Sequence, residues 1–144
     1  KIKITSGSEQ FKAFVSPHGK PSMTKYDPVR VFKVQMDGDA AEAADSFCQY
    51  YTLLHAIPFT GRTHQIRCHM NSIGHPVVGD YKYNRRSAHR AARFCDRLFL
   101  HCAEMGVCDL DGKSVNAASR LPGNLARALD FLNVQSSEVD RNND

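Results

Sequence analysis

A chain of 144 residues is long enough for one hydrophobic core and short for two independent domains, and its 42% hydrophobic and 24% charged content excludes wholesale disorder. No run approaches the ~18 apolar residues that cross a bilayer, and Lys1 to Gln10 lacks the apolar core of a secretory signal, so a soluble, intracellular protein without a membrane partner is expected, its compartment unassigned. The net charge of +4 is concentrated: Arg62 to Arg97 holds eight Lys and Arg against two acids, Asp80 and Asp96, the footprint of a polyanion site or else a solvated basic face.

In chain order, the first seventeen residues show little period, and Ser16 to Pro21 is a turn by its Pro and Gly content. Ser22 to Tyr26 and Val29 to Met36 read as strand, with Pro28 marking a bulge or an edge, and the acidic Asp37 to Asp45 segment reads as a surface loop. Gln49 to Phe59 alternates as a strand, with Tyr51, Leu53, His55 and Ile57 on one face. A helix then follows, with Thr63 as its N-cap, an apolar stripe of Ile66, Met70 and Ile73, and Gly74 as the left-handed residue past its end. Arg67 lies beside that stripe, so it is half-buried and needs an anionic partner.

The basic segment beyond Asp80 is expected to be partly helical over Ser87 to Phe94. Leu98 to Leu110 reads as a long strand, turned at Asp111-Gly112 into a return strand at Ser114 to Ala117. Pro122 opens a short helix carrying Leu125, Leu129 and Leu132, and Gln135 to Asp144 reads as a polar disordered tail. The expected class is α+β: a mixed, largely antiparallel sheet with packed helices. The five cysteines are odd in number and form no C-x-x-C pair, which suits a reducing compartment and buried thiols. A zinc site from Cys95, His101, Cys102 and Cys108 is the sharper alternative, but its spacings match no common module, so no metal is expected.

The run Thr60-Gly61-Arg62-Thr63-His64-Gln65-Ile66-Arg67-Cys68-His69-Met70, then Ile73-Gly74-His75-Pro76 and Gly79-Asp80, closely resembles the signature of the RluA-like pseudouridine synthases. Gly19 to Tyr26 and Leu98 to Ala103 resemble two further strands of that family, so the resemblance covers roughly Gly19 to Leu110. It implies an isomerase that converts uridine to pseudouridine in rRNA or tRNA without metal or organic cofactor. Residues 1–134 would form the C-terminal portion of its catalytic domain.

The family's nucleophile is an Asp in an H-R-L-D motif. This sequence has none; Arg97-Leu98 is followed by Phe99. The expectation is that the preceding half of the domain is absent, that the chain alone is inactive, and that it self-associates or depends on that half. A non-catalytic RNA-binding remnant is the alternative. Carried over by position, Arg67 matches the Arg that pairs with the catalytic Asp; an in-chain pair with Asp80 is the alternative partner. Arg62, Thr63, His64 and Gln65 match the shoulder that orders the helix start and approaches RNA. Leu100 matches an aliphatic position beneath the flipped base, and Lys82, Arg85 and Arg86 are further RNA-contact candidates, with Tyr81 and Tyr83 beside them placed either to stack on bases or to pack. His55, His75 and His101 read as core or turn residues, and His64 and His69, five apart, as no metal pair.

Overall fold

The computed structural model describes residues 1–5, 12–36 and 47–141. Its class is α+β, and among the described residues all strand pairing is antiparallel, in three two-stranded sheets. β1 (Ile2–Thr5) pairs with β2 (Lys12–Val15), inside the stretch where the sequence shows no period; strands of four residues are too short for alternation to register. β3 (Thr24–Met36) and β4 (Phe47–Pro58) form a long ribbon. The two runs read separately from the sequence are thus one strand, whose register shifts between Pro28 and Arg30, since proline cannot donate to the ladder. The expected loop over Asp37 to Asp45 lies outside the described residues.

The core sits on one face of the ribbon. Phe32 and Val34 alternate inward on β3, Tyr51 faces Phe32 from β4, and Leu132 closes the cluster from α3 (Gly123–Arg141). Phe94 packs edge-on against Tyr51 and stacks on Phe131, tying the basic segment to this core. A second cluster, Cys95, Leu125 and Ala128, lies beneath the start of α3. That helix corrects the expected tail: it continues to Arg141, because residues past Val134 extend an amphipathic helix already docked on the sheet, where the Lys33 amide donates to the Ser136 hydroxyl at 3.2 Å.

One further expectation is corrected. The segment from Leu98 to Ala103 is irregular, and the strand β5 begins only at Glu104, running to Cys108 and pairing with β6 (Ser114–Ala118). The Phe99 amide donates to the Val78 carbonyl, so this stretch serves the Val78–Asp80 turn instead of extending the hairpin. The hairpin turn stands as read, with Gly112 at φ 78°. No helix among the described residues is long and apolar enough to cross a membrane.

Candidate functional site

The site is built where α1 (Gln65–Ser72) meets the turn after Gly79. The helix end follows the sequence: Gly74, at φ 84°, donates to the Asn71 carbonyl while His75 donates to Met70, the paired bonds of a Schellman motif. Its start differs. The N-cap is His64, not Thr63, with φ 54° and no side-chain cap, the one non-glycine residue at positive φ among the described residues. Gln65 supplies the order that a cap would have given. It is 4% exposed; its Oε1 accepts from the Thr60 hydroxyl (2.6 Å) and the Arg62 amide (3.1 Å), and its Nε2 donates to the Met23 carbonyl (2.8 Å) and Thr24 Oγ1 (3.0 Å).

Every donor and acceptor of that amide is used inside the protein, so Gln65 anchors the loop and has no group left for RNA. Its burial also rotates the helix from the expected stripe: Gln65, Cys68 and Met70 face inward, and Ile73 is 48% exposed. His69 completes the anchor, with Nδ1 3.0 Å from Thr24 Oγ1 and Nε2 3.1 Å from Ser22 Oγ. Burial, then the positive N-terminus, lowers its pKa.

Arg67 is paired within the chain. Its Nε donates to Asp80 Oδ2 at 2.8 Å and its Nη2 to Oδ1 at 2.7 Å, with side-chain exposures of 16% and 1%. Of the two partners open to Arg67 in the sequence, Asp80 is the one present. The Lys82 and Tyr83 amides also donate to Oδ1, both at 3.1 Å, so the carboxylate is wrapped by its own turn. Burial alone pushes the Asp80 carboxyl up; the Arg67 hydrogen bond, the two amides and the guanidinium charge outweigh it and hold the group below the ordinary carboxylate range. The same hydrogen bond raises Arg67. Among the described residues no hydrogen bond is made by Nη1 of Arg67.

Gly79 makes this geometry reachable. It lies at φ 73°, and a Cβ there would come within 2.0 Å of the Arg97 carbonyl oxygen, so only glycine lets the chain turn Asp80 under the helix. The Leu98 to Leu100 segment runs beside this turn, and Leu100 is half-buried.

Tyr83 is the residue whose place the sequence left open. The Arg67 guanidinium carbon lies 5.0 Å from its ring centre, and its hydroxyl is 3.0 Å from His64 Nδ1 and 3.2 Å from the Ala13 amide that donates to it. Burial, and then a hydrogen bond with Cys68, pushes its phenol up to about 12. His64 is lowered by burial first and by the Arg67 and Lys82 charges next, with Asp80 opposing. Tyr81 instead packs edge-on against His89 at the surface.

The remaining candidates divide by position. Arg62 is exposed, its Nε donating to the Pro21 carbonyl at 3.2 Å, and Thr63 is exposed. Lys82 is partly buried; Arg85 and Arg86 are exposed at the start of α2 (Arg85–Ala91), which Asn84 caps by accepting from the Ser87 amide. The His64–Tyr83 contact joins the Arg62 loop to the Lys82–Arg86 segment. Among the described residues no three His, Cys, Asp or Glu side chains gather as a metal site, so the cysteine-histidine alternative does not assemble. Cys68 and Cys95 are buried, whereas Cys48, Cys102 and Cys108 are exposed, which corrects the expectation of mostly buried thiols.

No protein-family model matches the chain. Curated relatives do. The chain is 39% identical over 88 residues to the dual-specificity RNA pseudouridine synthase RluA of Vibrio vulnificus, covering 61% of this chain and 30% of that protein. It is 37% identical over 118 residues to the ribosomal large subunit pseudouridine synthase C of Vibrio cholerae, covering 80% and 32%. An uncharacterized RNA pseudouridine synthase of Chloroflexus aurantiacus matches at 33% over 130 residues, covering 90% and 35%. The chain thus spans about a third of the length of these relatives. With the motif from Thr60 to Asp80 folded into one buried site, these matches place the chain in the RluA-like family of RNA pseudouridine synthases.

Proposed function

We propose that this chain, residues 1–134 above all, forms the C-terminal part of the catalytic domain of an intracellular RNA pseudouridine synthase acting on rRNA or tRNA. The observation that carries this reading is the Arg67–Asp80 pair. Asp80 holds the guanidinium rigidly by two of its nitrogens, and Nη1 is left to meet a second carboxylate. A nucleophilic carboxylate must stay ionised, and a fixed guanidinium beside it favours the charged form. The nucleophile comes from an H-R-L-D segment that these 144 residues do not contain, so the chain alone does not turn over. Arg62, Thr63, His64, Lys82, Arg85 and Arg86 contact the RNA, and Leu100 lies beneath the extruded base.

Isomerisation moves the ribose bond from a ring nitrogen to carbon five and releases the hydrogen of that carbon. Tritium release from carbon-five-labelled uridine RNA therefore reports the reaction. Release is expected from the gene product that includes an H-R-L-D segment and not from the 144-residue chain; turnover by the chain alone contradicts the proposal. The absence of that motif from the sequence favours one second reading, an RNA-binding remnant without chemistry, which gains if the gene product encodes no such segment.

A further inference from the structure

His64 is held at φ 54°, in the left-handed region that disfavours a non-glycine side chain, so something other than backbone comfort keeps an imidazole there. Its Nδ1 meets the Tyr83 hydroxyl at 3.0 Å. That hydroxyl already accepts from the Ala13 amide. Its single proton then has two candidate acceptors, the imidazole nitrogen and the Cys68 sulfur, and sulfur is the much weaker acceptor. The Cys68 thiol is itself directed at the Ala13 carbonyl, 3.3 Å away. With the Tyr83 hydroxyl donating to Nδ1, the imidazole carries its own proton on Nε2, which has no hydrogen bond among the described residues.

We propose that Tyr83 is a positioning residue: its hydroxyl fixes His64 in the Nε2–H tautomer and aims that N–H as a hydrogen-bond donor at an acceptor oxygen of the bound RNA. This rests on the reading that RNA docks over the Arg62–Gln65 shoulder. The edge-on ring contact at 5.7 Å and the Arg67 guanidinium on the Tyr83 ring hold the phenol in place from two sides, and an imidazole flip would put a ring carbon where Nδ1 meets the hydroxyl.

The test uses the 144-residue chain and a stem-loop RNA with uridines in its loop. Nitrogen-15 imidazole NMR is expected to place the His64 proton on Nε2 in the wild type, and Tyr83→Phe, which keeps the ring and loses only the hydroxyl, is expected to give a tautomer mixture. Tyr83→Phe and His64→Gly are each expected to weaken RNA binding about tenfold, the worth of one hydrogen bond to a charged acceptor. Glycine accepts φ 54° freely, so His64→Gly is expected to fold and melt no earlier than wild type. In the His64→Gly background, Tyr83→Phe is expected to cost nothing more.

A proton found on Nδ1, or undiminished RNA binding by both single variants, overturns the proposal. Arg62→Ala separates the two layers. If it weakens binding while Tyr83→Phe does not, RNA docks at the shoulder and the tautomer role fails; if the wild type binds no RNA, both fail.

Discussion

The buried corner around Arg67 and the outer face of the β3–β4 ribbon are opposites. In the corner, a carboxylate that is 1% exposed, a glutamine that is 4% exposed and a guanidinium are each given hydrogen-bond partners from neighbouring turns. The ribbon's outer face and its flanks leave Met23, Val29, Val31, Tyr50 and Phe59 between 57% and 63% exposed, and both strands of the β5–β6 hairpin are exposed along their length. The chain's accessible surface of 10266 Å² compares with about 7400 Å² for a compact monomer of its 16.1 kDa mass. The polar groups of the corner thus find partners within the chain, whereas the outer faces of the sheets stay exposed.

The largest effect is expected in the corner. Asp80→Ala strands the Arg67 guanidinium and two amides, and is expected to cost about 3–5 kcal/mol in denaturant unfolding. Asp80 also carries a pH signature. Its folded pKa lies below its unfolded value, so its contribution is full above the ordinary carboxylate range near pH 4 and is lost as pH falls through the folded pKa. Asp80→Asn is expected to flatten that acid limb; an unchanged limb contradicts the assignment. Next comes Gly79→Ala, which forces a Cβ against the Arg97 carbonyl at positive φ and is expected to cost at least ~2 kcal/mol in the same measurement. Gln65→Ala loses four hydrogen bonds and is expected to cost about 2 kcal/mol.

The smallest stability effect is expected on the ribbon. Val31→Lys is expected to change unfolding free energy by no more than about 0.5 kcal/mol. Its consequence lies in association: light scattering is expected to show the wild-type chain self-associating and Val31→Lys shifted toward monomer. A wild-type monomer at high concentration overturns this expectation.

The long strands, the α1 boundary at Gly74, the Asp111-Gly112 turn and the basic segment were legible because period and turn chemistry are local signals. Arg67 was legible as a charge needing a partner, with Asp80 as one alternative, and the geometry of their pairing depends on a left-handed glycine whose close neighbour, Arg97, is remote in sequence. What escaped was non-local. Gln65 looks like a surface residue until the Met23 carbonyl and Thr24 hydroxyl arrive to satisfy it, and the tail after Val134 looks disordered until the sheet supplies a docking face. Tyr83 has its meaning only through Ala13, His64 and Arg67, three contacts that no local pattern encodes.

The central claim is that Arg67, pinned by Asp80, keeps a nucleophilic carboxylate ionised. Its most direct test is tritium release by the gene product carrying an H-R-L-D segment, compared between wild type and Arg67→Met, with folding of the variant checked by melting. Turnover in Arg67→Met is expected to fall at least a hundredfold, with RNA affinity largely kept. A variant that releases tritium at the wild-type rate would contradict the account.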